Sequence, residues 1–158
     1  MTLRRSALLV AAAFAGVAVG VPAAGAGSGD VQQAIRLAAA NYKVALLNGS
    51  PDACQMATPF IQDSLVNDAW SDAHKKVKSC PVAVKTLATF HASQFPSRAA
   101  YVRAAQTVVN AISRGKVKLY GAGAVVRYVV TGMPASIDLL LTNGRWLVNG
   151  WAEEDLAP

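Results

Sequence analysis

Histidine, cysteine and long apolar runs are scarce in this 158-residue chain, and each scarcity closes off a class of function. There are two histidines, His74 and His91. Neither stands in a recognisable nucleophile context, so no Ser-His-Asp or Cys-His constellation can be assembled around them. His74 sits among lysines that oppose its protonation, and His91 reads as a helix-end surface group rather than a general base. Two cysteines, Cys54 and Cys80, cannot build a cysteine knuckle. The spacing of Cys54, His74, Cys80 and His91 matches no zinc-ligand pattern. The apolar stretch from Ala7 to Val21 is rich in Ala and Gly and falls short of the ~20 residues of a membrane span. Gly121-Ala122-Gly123 leads into a strand-like run, not a helix, so it lacks the helix N-terminus on which a phosphate-binding loop depends.

What is present begins with a leader. Arg4 and Arg5 precede the charge-free stretch, which ends in Ala23-Ala24-Gly25-Ala26. That is the order of a secretory signal peptide, with cleavage after Ala26, or alternatively after Ala23. Residues 1–26 are therefore expected to be removed and 27–158 to form one exported domain. No cysteine lies near the cleavage point for a lipid anchor. Contact with a membrane is expected only if the leader stays uncleaved. Arg4 and Arg5 leave with it, so the formal charge of +6 falls by two, to +4. A charge of that size favours mild attraction to anionic envelope polymers or headgroups, and with export it argues against nucleic acid. Outside the cytoplasm Cys54 and Cys80 are expected to pair. Closing the loop between them stabilises the fold by roughly 3.5 kcal/mol on the chain-entropy account.

The first half of the domain has helical periodicity. Val31, Ala34, Ile35, Ala38, Tyr42, Ala45 and Leu46 recur at steps of three and four, and Asn48-Gly49 provides a stop. Ser50-Pro51 and Thr58-Pro59 each combine a capping residue with proline at the first helical position. Asn67 to Ser79 reads as a solvated loop or helix end, and Pro81 to His91 as a further helix. Arg98 to Ile112 suits a helix first and a strand after. The last third alternates like strands: Lys116 to Tyr120, Ala124 to Val130, Ile137 to Thr142 and Arg145 to Trp151. Asn143-Gly144 is a strong two-residue hairpin turn. It sets Leu141 opposite Trp146, Leu140 opposite Leu147 and Leu139 opposite Val148. A turn over Thr131 to Ala135 sets Arg127 opposite Asp138, a cross-strand pair. One sheet face is then almost wholly apolar and should meet the helices. The other is mixed and carries Leu140, Leu147 and Trp151. The expected fold class is α+β, with N-terminal helices packed on an antiparallel sheet.

Three segments carry a family resemblance. They are Gly121 to Tyr128, Ile137-Asp138-Leu139-Leu140-Leu141, and Asn143-Gly144-Arg145-Trp146-Leu147-Val148-Asn149-Gly150-Trp151. Together they resemble the ending of exported proteins of the NTF2-like (SnoaL-like, cystatin-like) superfamily. Ala45 to Pro59 is similar to that superfamily's first helix, turn and second helix. Cys80-Pro81 resembles the second cysteine of its disulfide-bearing members of actinobacterial type. The resemblance implies a curved sheet wrapped as a cone around helices, often with an apolar cavity. Tyr42, Tyr128, Leu139 and Trp146 are the candidate lining of such a cavity, or its core. Leu140, Leu147 and Trp151 are a candidate interface, since sheet-face pairing is a common dimer mode in the superfamily. The enzymes of the superfamily place an Asp or His base and a Tyr or Asp donor in the cone, and those residues map onto no positions here. The expectation is an exported, non-catalytic domain that binds a small apolar ligand or an envelope protein, or forms a homodimer. An isomerase, dehydratase or cyclase using the cone is the alternative. No catalytic residue, metal or cofactor is assigned.

Overall fold

The first helix stops where its sequence says it should. α1 (Ser28–Asn48) buries Ile35, Ala39, Tyr42 and Ala45 along one stripe. Gly49 then takes φ +71°. Its N–H donates to Leu46 O at 3.1 Å, and the N–H of Ser50 reaches Ala45 O at 2.9 Å. That pair of bonds closes the helix in the left-handed manner that glycine permits. A Cβ on Gly49 would lie 3.2 Å from the Cβ of Ala88, so the missing side chain also brings the fourth helix close. This computed structural model describes residues 28–152. The leader and its cleavage site lie outside them.

Four more helices follow: α2 (Asp52–Gln55), α3 (Pro59–Ser71), α4 (Cys80–Ser93) and α5 (Arg98–Ser113). Proline stands in the first turn of α3 and α4, where a missing N–H costs nothing. Thr58 does not cap α3 with its side chain. Its hydroxyl instead donates to Asn149 Oδ1 at 3.2 Å, 91 residues further along the chain. Residues 67–71, expected in a solvated loop or helix end, complete α3. α5 stays helical to Ser113, where a change to strand was expected. Tyr101, Val108 and Ile112 all fall on its buried side, and that helical stripe outweighs the β preference of Val108-Val109. Ser97 caps it, accepting from the Ala100 N–H at 3.1 Å.

The sheet is an antiparallel meander in the order β1 (Lys116–Tyr120), β2 (Gly123–Val130), β3 (Met133–Thr142), β4 (Arg145–Ala152). Asn143 and Gly144 take φ 49° and 74°, and the expected pairs Leu141–Trp146, Leu140–Leu147 and Leu139–Val148 form. Two expectations fail. The β2–β3 connection is only Thr131-Gly132, both at positive φ. Arg127 therefore faces Ser136, while Asp138 faces Val125. On β4 the register shifts between Asp138 and Leu139, which leaves Asn149 as an extra residue. A bulge of this kind reverses the side-chain alternation beyond it. Trp151, expected on the mixed face, turns inward and sets its ring 6.3 Å from that of Tyr42.

The core lies between the helices and the inner face. Ile35, Leu65, Ile112, Val126, Leu139 and Val148 are among its fully buried side chains. The free edge of β4 is covered by the α2–α3 link, with Val148 N–H to Met56 O at 2.8 Å and Thr58 N–H to Val148 O at 2.9 Å. Cys54 and Cys80 form the expected disulfide, tying α2 to the start of α4. Among the described residues no helix is long and apolar enough to cross a membrane.

Candidate functional site

At the end of α5 the chain must turn straight into the sheet. Gly115 makes this possible. A Cβ there would lie 2.6 Å from Val126 Cγ1 and 3.0 Å from the carbonyl oxygens of Arg127 and Ile112. The tight junction places Arg114 and Lys116 on either side of Gly115. β1 then pairs with β2 so that Lys116 stands directly opposite Arg127. The same row continues across the sheet to Ser136 and Ala152. A cleft of about 570 Å³ opens at this end of the sheet. Arg114, Lys116 and Arg127 line it together with the apolar surface of Tyr128, Val129 and Pro134. Among the described residues no carboxylate lines it. Asp138, the one acidic residue between Lys116 and Ala152, is two register positions away from this row. It packs over Gly150, with Oδ2 3.3 Å from where a Cβ would be.

Like charges directly opposite on neighbouring strands destabilise a sheet, by about the 0.2–1 kcal/mol that opposite charges would contribute. Lys116 and Arg127 bear that cost in an open cleft that also holds Arg114. Their arrangement suits a ligand that brings negative charge, because the repulsion between the cations becomes attraction to the ligand. The apolar surface beside them suits a hydrocarbon part.

A second group of ionisable residues lies among the helices. The N-terminal ends of α3 and α4 meet at the disulfide, where Gln62 Nε2 donates to Cys54 O at 2.8 Å. Towards their C-terminal ends, Asp72 and, from α1, Lys43 act on the charge of His91. Lys43 is 4 % exposed, and burial brings its pKa down to about 8. Burial lowers the pKa of His91, with the Lys43 ammonium adding to the effect and Asp72 opposing it. Burial, and then Asp72, push the Asp68 carboxyl up. Tyr42 is raised by burial and then by Asp68. Its hydroxyl is buried without a hydrogen-bond partner among the described residues. Sequence reading passed over Lys43, although it sits one helical step of four beyond Ala39 and two beyond Ile35, on the stripe that α1 buries.

The candidate pocket residues fall in or against the core. Tyr42, Tyr128 and Leu139 belong to the packed core, and Trp146 lies half-buried against it. Of the four, Tyr128 also lines the cleft. Leu140, 37 % exposed, and Leu147 share the outer face as expected, but Trp151 does not join them. Among the described residues no cluster of three His, Cys, Asp or Glu side chains could hold a metal ion. No protein-family model, curated protein or solved structure matches this chain.

Proposed function

We propose that this chain is an exported, non-catalytic binding domain of NTF2-like build, and that its ligand is a small amphiphilic anion held in the cleft at the end of α5. The observation that carries the reading is Lys116 standing opposite Arg127, with Arg114 in the same cleft and, among the described residues, no carboxylate in its lining. The volume lies within the roughly 300–1,000 Å³ of small-molecule sites. The small apolar ligand that the family resemblance implies is thereby narrowed to one with an anionic head. Titration calorimetry with laurate, below its micelle concentration, tests this. Laurate binding is expected to weaken at least tenfold in Arg127→Glu, as loss of a charge-assisted contact of about 1.5–3 kcal/mol requires. Neutral dodecyl maltoside is expected to bind far more weakly than laurate. Equal affinity for the two amphiphiles, or indifference to Arg127→Glu, would contradict the reading.

One observation favours the enzymatic alternative: the partnerless Tyr42 hydroxyl near Asp68. A donor and a carboxyl of that kind are what a proton-shuttling site needs. Tyr42→Phe separates the two readings. On the binding reading the variant keeps laurate affinity and is more stable by about 1 kcal/mol, because an unsatisfied buried hydroxyl is removed. On the enzymatic reading it loses affinity for any ligand seated there.

A further inference from the structure

The opposite end of the sheet has a different surface. The turns Gly121-Ala122 and Asn143-Gly144 lie side by side there, joined by the Leu141 N–H to Ala122 O bond at 2.8 Å. Leu119 is 49 % exposed, Tyr120 52 %, Leu140 37 % and Leu141 36 %. These are consecutive pairs on β1 and β3, so successive side chains point to opposite faces. Apolar surface therefore shows on both sides of the tip. Tyr120 bridges the gap between the two pairs: its ring lies over Gly123, where a Cβ would come within 2.5 Å of it. Gly123 in turn pairs with Leu140. Lys118 and Arg145, both exposed, flank the cluster, and Asp138, in the same row as Lys118, is the acidic group that acts on Tyr120.

We infer that this tip docks into the interfacial region of an anionic lipid bilayer. A protein partner covers one face of a sheet, whereas a tip that is apolar on both faces needs a medium that surrounds it. The headgroup and upper acyl region of a bilayer does so, and receives aromatic and leucine side chains at that depth. Lys118 and Arg145 complement anionic headgroups, where each cation near the surface adds to binding. The surface is separate from the cleft, whose lining includes none of these residues. It adds a place where a lipid-like anion would be met.

Trp146 pairs with Leu141 and is half-buried, so it reports on this tip directly. The exported protein is mixed with vesicles of equal parts phosphatidylglycerol and phosphatidylcholine, or of phosphatidylcholine alone, some with bromine on the acyl chains. Sedimentation with the anionic vesicles is expected at about 0.1 M salt and its loss near 1 M, where screening is nearly complete. Brominated chains are expected to quench tryptophan emission, and Trp146→Phe to remove the quenching. Leu141→Glu and the pair Lys118→Glu with Arg145→Glu should each weaken vesicle binding at least tenfold, with circular dichroism showing the fold intact and laurate affinity unchanged. The inference is overturned if the folded protein ignores anionic vesicles. It is also overturned if binding survives Leu141→Glu without quenching, or if soluble polyglutamate binds with the same strength and salt dependence, since either result means attraction to charge alone. Loss of laurate binding in Arg127→Glu with vesicle binding retained would leave this inference standing on its own.

Discussion

Lys43 is buried on the helical stripe of α1, and burial disfavours its charged form. Its ordinary pKa of 10.5 falls to about 8 in the folded protein. Between those values the unfolded chain holds a proton that the folded chain has released, so stability rises as pH climbs from 8 towards 10.5. Below pH 8 both states are protonated and the whole cost is present, about 3 kcal/mol at the usual 1.36 kcal/mol per pH unit. The stability gap between wild type and Lys43→Met is therefore expected to move in favour of wild type by an amount of that order between pH 7 and pH 10. Urea unfolding at a series of pH values measures it. A gap that did not change with pH would show that the ammonium is not the source. Above pH 10 the raised pKa of Tyr42 acts in the opposite sense, because the unfolded chain then loses a proton that the folded phenol keeps. Lys43 was hidden in the sequence because a lysine on a helix is ordinarily solvated. Only its position on the Ile35–Ala39 stripe marked it, and apolar periodicity is read from apolar residues.

Among the elements, the two hairpins show what alternation and turn chemistry convey and where they stop. Asn143-Gly144 is a two-residue turn by composition, so the register of β3 against β4 could be read as far as Leu139–Val148. The bulge at Asn149 could not. Its neighbours are Val148 and Gly150, and nothing in that order distinguishes an extra residue from regular pairing. The inward turn of Trp151 and its contact with Tyr42 follow from that one residue. Deleting Asn149 should restore regular pairing, expel Trp151 from the core and remove the hydrogen bond from Thr58. The expected cost is about 3–5 kcal/mol, as for truncating a large buried aromatic, measured by thermal unfolding and by loss of the near-ultraviolet tryptophan signal. At the α5–β1 junction, Gly115→Ala is expected to cost about 1–3 kcal/mol because its methyl group meets Val126 and two carbonyl oxygens. Laurate affinity should fall with it, since the same junction places Arg114 and Lys116. The cleft escaped sequence reading for a related reason. Taking the β2–β3 connection as longer than it is assigned Asp138 to Arg127 as a partner, and so cancelled on paper a charge that faces Lys116 and Ser136 instead.

For the molecule as a whole, helices cover one face of a four-stranded sheet and a disulfide holds the helical layer together. Reduction, or the double change Cys54→Ala with Cys80→Ala, is expected to lower unfolding stability by roughly 3 kcal/mol. Thiol reagents should label neither cysteine in the native protein. The α+β class and the cysteine pair were legible because both follow from composition and periodicity along the chain. The functional surfaces were not, because Arg114, Lys116 and Arg127 come from three elements and Leu119, Tyr120, Leu140 and Leu141 from two hairpins. Their meeting is a property of the register. The central claim is that the cleft holds an amphiphilic anion, and native mass spectrometry of the protein purified from its own host tests it most directly. The expected result is a bound species of a few hundred daltons, as a ~570 Å³ cleft allows, with an acidic head, present on wild type and missing from Arg127→Glu. A protein that flies bare, or one carrying the same neutral molecule on both forms, would contradict it.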